Sequence, residues 1–208
     1  MKNRKKVLAA LMAGVMTLSM GTTVFASAED GYALKATNTE EKSPDNDLVI
    51  AIEGSVSSMD PANIPDTNAI SATRGCYEML VAFDENQEIQ GQLAESYEVS
   101  EDSLTYTFHL REGVKFTDGT DFNAAAVKAN YDRIIDKENN LRQRRTFVVT
   151  GEDGSETYRV ESIETPDDYT VVFKLTEPWA PFINRMTQIC MISPAALEEY
   201  GNDIMNHP

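Results

Sequence analysis

Histidine and cysteine, which carry much of enzyme and metal chemistry, are scarce here, because the 208 residues contain only two of each. His109 and His207 have no partner at metal-ligand spacing, and no C-x-x-C, H-E-x-x-H, G-x-S-x-G or phosphate-binding glycine loop occurs. Acidic residues are so numerous that a close pair of carboxylates indicates nothing. The sequence therefore predicts a protein that is not an enzyme, with no catalytic residue, no metal site and no cofactor.

The two cysteines, Cys76 and Cys190, lie in apolar surroundings and form no recognisable disulfide framework. We expect two buried free thiols, with a bridge between them as the alternative. Basic residues are also few, since 18 Lys and Arg face 34 Asp and Glu, which gives a net charge of −16. Nucleic acid and anionic membrane surfaces would repel such a chain, so neither is expected as a partner.

The sequence has one long hydrophobic run, from Val7 to Met20. This run is shorter than the ~20 residues that a helix needs to cross a bilayer. It follows a basic start and precedes a small-residue cleavage pattern, so residues 1–28 are predicted to be a secretory signal peptide rather than a membrane anchor. We expect cleavage near Ala28, or alternatively Ala26, and export to the periplasm or medium. Removal of its four basic residues takes the net charge to −20. Residues 29–47 are polar and predict a flexible leader.

The richest structural signals lie between residues 93 and 135. Alternating apolar and polar residues from Leu104 to Leu110 predict a strand with one buried face. A short strand at Val114–Phe116 is expected to end in a turn at Asp118-Gly119. Asn123 is placed to cap a helix, and the apolar residues of that helix, spaced by three and four, are Val127, Tyr131, Ile134 and Ile135.

Further patterns predict a mixed α/β chain. The other predicted elements are a strand at Leu48–Ile52 buried on both faces, a helix at Thr67–Val81, a hairpin from Tyr158 to Leu175 with its turn at Pro166-Asp167-Asp168, a helix from Pro181 to Ile189 and a last helix that Ser193 caps. Trp179 is the only tryptophan. It could stack on a ligand, but its place between two prolines favours a packing role at the edge of the core.

A loop of small hydroxyl residues follows the predicted first strand. Ligands of open α/β sheets lie outside the carboxyl ends of strands, so Ser55, Ser57, Ser58 and Met59 are the candidate ligand-binding residues. The alternative is an ordinary serine-rich turn that ends at Pro61.

A basic cluster stands out in this acidic chain, formed by Arg142, Arg144 and Arg145. It could meet the carboxylate of a substrate. The alternative, favoured for most clusters of this kind, is a solvated helix face.

The short sequence motifs of the central segment resemble the signature of the family 5 extracellular solute-binding proteins, the dipeptide, oligopeptide and nickel receptors of ABC importers. The matching residues are Leu93-Ala94-Glu95, Thr105-Tyr106-Thr107-Phe108, Leu110-Arg111, Gly113-Val114-Lys115-Phe116, Asp118-Gly119, Phe122, Ala124 and Val127. Tyr97, Ser103 and Ala126 depart from the pattern, which has Trp, Gly and an acidic residue there. Residues 77–84 and 167–182 echo further family segments.

This resemblance implies the type II periplasmic-binding-protein fold, with two lobes that close on an extended peptide. Residues 48–208 would form an incomplete solute-binding domain: the first strand and cleft loop of lobe I at 48–60, an extra subdomain at 61–190 and the start of the return to lobe I at 191–208. The implied function is to capture peptides, particularly oligopeptides, and deliver them to an ABC permease. A sugar, an opine or a metal chelate stays open as cargo, although nickel capture by histidines is poorly supported.

Relatives of the resembled family are much longer, so the second lobe is expected to be missing and the isolated chain to bind no peptide tightly. Many relatives are lipid-anchored by a cysteine after the signal peptide, and no cysteine precedes Cys76. The rival hypothesis is an exported interaction or scaffold fragment without a small ligand of its own. DNA downstream of codon 208, with permease and ATPase genes alongside, would distinguish the two.

Overall fold

The largest element is an antiparallel sheet of four strands, and the computed structural model that contains it describes residues 51–207. Its strands are β3 (Ala94–Val99), β4 (Thr105–Leu110), β7 (Val160–Asp167) and β8 (Thr170–Leu175), in the spatial order β3-β4-β8-β7. Alternate residues of β4 and β8 are buried, as the period of two predicts. The predicted strand is therefore confirmed from Thr105 to Leu110. The hairpin that ends at Leu175 is present, but its turn is Asp168-Tyr169 rather than Pro166-Asp167-Asp168, because β7 continues through Asp167. Tyr158, the predicted start of the hairpin, belongs instead to a separate short strand, Glu156–Tyr158.

A helix, Ala124–Ile135, covers the buried face of the sheet. The side chain of Asn123 accepts a hydrogen bond from the Ala126 N–H at 3.0 Å, which confirms the predicted cap. Tyr131 packs edge-on against Phe173, with 4.8 Å between ring centroids, and Phe173 packs in the same manner against Phe108 at 5.7 Å. Aromatic side chains from the sheet and the helix thus form the centre of the core.

Smaller elements surround this layer pair. They are α1 (Thr67–Thr73), α2 (Ala124–Ile135), α3 (Arg144–Phe147), α4 (Phe182–Met186), α5 (Pro194–Tyr200), two 3-10 turns (Pro61–Asn63 and Gly201–Asn206), and two hairpins, β1 (Val81–Phe83) with β2 (Ile89–Gly91) and β5 (Val148–Thr150) with β6 (Glu156–Tyr158). Ser193 caps α5, as predicted, and Gly201 ends it with a φ of 54°.

The helix predicted over Thr67–Val81 is wrong in its second half, because α1 ends at Thr73. The segment after it is held by long-range backbone pairing: the Leu80 carbonyl accepts from two N–H groups at 3.0 Å, and Met79 bridges Cys190. The spacing of Tyr77, Leu80 and Val81 suits a helix, but tertiary pairing to residues 91–94 and 190 overrides it.

Other predicted elements are shorter than expected. Val114–Phe116 forms no strand, only a bridge between Lys115 and Asp121, although its turn at Asp118-Gly119 is present with a Gly119 φ of 87°. The helix that starts after Pro181 ends at Met186, before Ile189, because Thr187 closes it with the Asn184 carbonyl.

Several predictions concern the first part of the chain. The signal peptide, the leader and residues 48–50 of the first predicted strand lie outside the described residues. Ala51 and Ile52 are described, and both are exposed and in no strand, so this part of the strand prediction is not confirmed. Within residues 51–207, no helix combines the length and apolar character needed to cross a membrane.

Candidate functional site

The predicted ligand loop contributes one wall of a cleft of about 640 Å³. Ser57 and Ser58 line it, whereas Ser55 and Met59 do not. Ser55 is exposed to solvent, and Met59 is partly buried with its N–H bonded to the carbonyl of Met205 at 3.3 Å. The structure therefore brings two of the four predicted residues to a concave surface.

The opposite wall of the cleft is the segment from residue 140 to 150, which includes the predicted basic cluster. The complete lining is Ser57, Ser58, Asn63, Pro65, Asn140, Leu141, Arg142, Arg144, Arg145, Val148, Thr150 and Met205. All three charged residues in this lining are arginines. Both sequence-level candidates, the serine loop and the arginine cluster, thus belong to one site.

Three long-range contacts hold the serine loop and the turn after it in place. The Gln143 N–H donates to the Ala62 carbonyl at 3.1 Å, which joins the arginine segment to the 3-10 turn after the serine loop. Arg133 on α2 donates to both carboxylate oxygens of Asp60, at 3.2 and 2.7 Å. The bond from Met59 to Met205 is the third. Since each joins residues more than 70 apart in the chain, the cleft is a product of tertiary structure.

Within the cluster, Arg144 has a structural partner. Its guanidinium makes two hydrogen bonds to Glu156, at 3.2 and 2.8 Å, and its Nε donates to the Ile135 carbonyl at 2.8 Å. Hydrogen bonding to Arg144 lowers the pKa of Glu156 to about 2, so this carboxylate stays ionised in neutral solution. Arg144 therefore adds little net charge to the cleft.

Arg142 and Arg145 differ from Arg144, because both are exposed and neither pairs with a carboxylate in the part of the chain that the structure describes. The Nε of Arg145 donates to the carbonyl of Arg142 at 3.1 Å. Its terminal nitrogens make no hydrogen bond to residues 51–207. These two residues give the cleft its positive charge.

The two serine hydroxyls have different roles. Ser57 donates its proton to Asp66 at 2.5 Å, and this hydrogen bond holds the pKa of Asp66 below its ordinary value. Ser58, only 9% exposed, accepts from the Asp60 N–H at 3.1 Å, and no described group accepts its proton. Ser58 is thus the hydroxyl that can donate to a ligand.

Sequence reasoning missed several lining residues, notably Asn63, Asn140 and Thr150. The Asn63-Ile64-Pro65 turn was a local signal, but nothing in the sequence placed it opposite Arg142. Trp179, the other ligand candidate, lies against Phe147 and Phe182 with Arg159 stacked on its ring at 4.8 Å, so it packs on the core as expected.

The remaining chemistry-bearing residues are scattered. His109 lies 3.7 Å from Glu98 on the polar face of the sheet, and His207 stacks on Tyr200. Both cysteines are free, but the expected burial is wrong for each: Cys76 is exposed, because the chain leaves the helix before it, and Cys190 is only partly buried. Among residues 51–207, no group of three or more potential ligands could hold a metal ion.

A second groove, of about 950 Å³, lies on another part of the surface and is lined by Tyr77, Phe116, Ser193 and residues around them. The hydroxyl of Tyr77 is buried there without a hydrogen-bond partner among the described residues. Neither sequence-level candidate reaches this groove.

A concave surface of this volume on a mixed sheet and helix scaffold is large enough to take a small ligand. The model of the family described as "Bacterial extracellular solute-binding proteins, family 5 Middle" matches residues 88–208. The chain belongs to this family. The predicted family and its type II periplasmic-binding-protein fold are thereby confirmed.

Individual relatives agree with this assignment. The glutathione-binding protein GsiB of Escherichia coli (strain K12) is 37% identical over 197 residues, which is 94% of this chain and 34% of the relative. The structure of the PBP AgaA from A. tumefaciens R10 in complex with agropinic acid superposes with a TM-score of 0.62 at 32% identity, covering 70% of this chain and 28% of that one. DppA from Helicobacter pylori, in complex with the peptide STSA, superposes with a TM-score of 0.58 at 31% identity, covering 73% of this chain and 33% of that one. The chain thus spans about a third of the length of the curated relatives it matches.

Proposed function

We propose that this chain is part of the extracytoplasmic substrate-binding component of an ABC importer, which captures peptides, particularly oligopeptides, and delivers them to a membrane permease. The observation that carries the proposal is its membership of the solute-binding family, together with similar proteins named for glutathione and for a bound tetrapeptide. Another similar protein is in complex with agropinic acid, which makes a ligand of that kind the main competitor of a peptide.

The proposed division of the chain follows the family architecture. Residues 48–60 belong to the first strand and cleft loop of lobe I, residues 61–190 form the extra subdomain, and residues 191–208 begin the return to lobe I. The sheet and α2, which share one core within 94–175, support the subdomain assignment. Export by the signal peptide at 1–28, cleaved near Ala28 or Ala26, completes the proposal.

Within the site, the serine loop and the arginine segment bind the ligand together. Ser58 donates a hydrogen bond, Ser57 and Asp66 fix the loop, and Met59 anchors its end through the Met205 carbonyl. Ser55, which is exposed and outside the lining of the cleft, contacts a ligand only when a second lobe closes over it. Closure stabilises the bound state because the ligand then touches both lobes.

A hybrid receptor tests the proposal. The 197 residues of GsiB from Escherichia coli that match this chain are replaced by the corresponding residues of this chain. We expect the hybrid to bind glutathione or a di- to pentapeptide in calorimetry with micromolar affinity. The 208-residue chain alone should bind the same peptides far more weakly, since it can grip them from one side only.

Two controls make the outcome decisive. GsiB without the matched segment should not bind, and circular dichroism and cooperative melting establish that the hybrid is folded. A folded hybrid that binds neither glutathione nor any peptide contradicts the proposal and favours a scaffold fragment without its own ligand. Micromolar binding by the 208 residues alone contradicts the single-sided mode of binding.

A further inference from the structure

The charge of the cleft is opposite to that of the protein. Asp and Glu outnumber Lys and Arg by 34 to 18, yet three arginines and no acidic residue from the described range 51–207 line the cleft. A surface drawn at random from this composition would carry more carboxylates than guanidinium groups. The inversion therefore indicates that the cleft attracts a negatively charged ligand.

Only two of the three arginines are available for that ligand. Arg144 is neutralised by Glu156 through two hydrogen bonds, and its exposed side-chain fraction is only 12%. Arg142 and Arg145 have no carboxylate within ion-pair distance among residues 51–207, although most carboxylates of the protein lie on its surface. Two adjacent guanidinium groups without a carboxylate partner repel each other, and an anion bound between them offsets that repulsion.

The local geometry prepares one guanidinium for an anion. The Nε of Arg145 is held by the Arg142 carbonyl at 3.1 Å, so the guanidinium plane is oriented, while neither terminal nitrogen bonds a residue that the structure describes. The backbone of residues 141–143, next to these arginines, is fixed, because the Leu141 side chain is buried, at 6% exposed, and the Gln143 N–H donates to the Ala62 carbonyl. An oriented guanidinium fork matches the two oxygens of a carboxylate.

The other wall supplies a hydroxyl donor and limits where the anion can lie. The proton of Ser58 is free, whereas Ser57 gives its proton to Asp66. The ionised Asp66 beside Ser57 repels a second carboxylate, so the anionic end of a ligand lies towards Arg142 and Arg145. A volume of about 640 Å³ is enough for a short peptide.

We propose that the cleft binds a carboxylate of the ligand, with Arg142 and Arg145 as the binding cations and Ser58 as a hydroxyl donor, so that the ligand class is short acidic peptides. This inference rests on the proposed function, in that the ligand is a peptide. It adds a substrate class and names the residues that select it.

The test uses the 208-residue chain and nuclear magnetic resonance, which detects the weak binding expected when only one lobe contacts the ligand. The probe is the dipeptide Ala-Glu, and the control ligand is the side-chain amide Ala-Gln, which has the same shape and the same C-terminal carboxylate but no acidic side chain. We expect saturable shifts in the millimolar range at Ser58, Arg142 and Arg145 for Ala-Glu, and binding of the amide weaker by roughly tenfold.

Substitutions assign the effect to residues. Arg142→Gln and Arg145→Gln should each weaken Ala-Glu binding by roughly threefold, and the double substitution should reduce it to the level of the amide. Arg185→Gln is the matched control, because Arg185 is equally exposed and does not line the cleft. All three positions are at the surface, so the variants keep the fold, which the unchanged backbone spectrum verifies.

The inference is overturned if Ala-Glu and the amide bind equally, if no saturable shift occurs, or if the double substitution leaves Ala-Glu binding unchanged. These outcomes are separate from failure of the proposed function. A hybrid receptor that binds neutral and acidic peptides alike would sustain peptide capture and still remove the acidic preference.

Discussion

Asp60 and Arg133 form a bidentate ion pair across 73 residues of sequence, with exposed side-chain fractions of only 6% and 10%. The carboxylate of Asp60 also accepts from the Ala62 N–H at 3.0 Å, and its own N–H donates to Ser58. One side chain therefore fixes the 3-10 turn, the position of Ser58 and the attachment of both to α2. The position of Ser58 in the candidate site therefore depends on this ion pair.

Asp60→Asn should destabilise the protein by about 3 kcal/mol, because it leaves the Arg133 guanidinium buried beside a neutral amide. Urea unfolding followed by circular dichroism measures the change. The double substitution Asp60→Asn with Arg133→Met should cost less than the sum of the two single changes, since it removes both charges.

The same helix offers a control for that prediction. Asp132 pairs with Lys128 at 2.5 Å, but both side chains are about half exposed. Asp132→Asn should therefore cost at most about 0.5 kcal/mol. Equal losses for Asp60→Asn and Asp132→Asn would mean that the buried pair has no special role.

The pair of Arg144 and Glu156 predicts a dependence of stability on pH. Its hydrogen bonds lower the pKa of Glu156 from an ordinary 4.5 to about 2 in the folded protein. The stabilisation is therefore fully present above about pH 4.5 and is lost as the pH falls towards 2. Glu156→Gln should unfold at lower urea than the native chain at pH 6, and the gap should close towards pH 2.

Glu152→Gln serves as the reference for the pH series, because Glu152 is exposed and has no ion pair within the described range. Its urea midpoint should track the native chain throughout. A gap between the native chain and Glu156→Gln that stays constant from pH 6 to 2 would show that the two residues do not interact through charge.

Local patterns predicted the centre of the fold because that part follows from short-range chemistry. The alternation in β4, the cap at Asn123 and the spacing of Val127 and Tyr131 all agree with the observed burial. The Tyr77–Val81 segment was mispredicted because its apolar spacing fits a helix, while its actual partners, Gln92 to Ala94 and Cys190, are remote in sequence.

The candidate site was predicted in pieces for the same reason. Hydroxyl residues after a strand indicated Ser57 and Ser58, and an unusual basic cluster indicated Arg142 and Arg145. Their juxtaposition depends on the Asp60 to Arg133 pair and on the bond from Gln143 to Ala62, neither of which has a sequence signature. The pairing of Arg144 with Glu156 was equally invisible, so the three arginines looked equivalent.

The two cysteines should react at very different rates. Cys76 is exposed, whereas burial raises the pKa of Cys190 to about 11, so few thiolates form there near neutral pH. A thiol reagent such as dithionitrobenzoate should modify one thiol rapidly and the second only after urea is added. In Cys76→Ser the rapid phase should disappear, and its survival would contradict the described exposure.

The hydroxyl of Tyr77 should reduce stability rather than add to it. It is buried without a partner within residues 51–207, and an unpaired buried hydroxyl costs about 1 kcal/mol or more. Tyr77→Phe should therefore raise the free energy of unfolding by about 1 kcal/mol. Tyr158→Phe is the control with the opposite sign, because the Tyr158 hydroxyl bonds Glu156 at 3.2 Å.

Ser103 stands where the family pattern has glycine, and the structure gives a physical reason for that glycine. The residue has a φ of 57°, in the left-handed region that favours glycine, at the turn between β3 and β4. The bond from its N–H to the Ser100 carbonyl, 2.8 Å long, closes the turn and requires no side chain. Ser103→Gly should therefore stabilise the protein by about 1 kcal/mol.

The matched change Ser96→Gly, in the exposed edge strand β3, should have the opposite effect and cost roughly 0.5 to 1 kcal/mol. Glycine there gains no conformational relief and loses entropy on folding. Urea unfolding of the two variants under one set of conditions compares them directly. A loss of stability in both would mean that Ser103 is held without strain, and that the turn tolerates a side chain because neighbouring bonds, such as Asp102 to the Leu104 N–H, stabilise it.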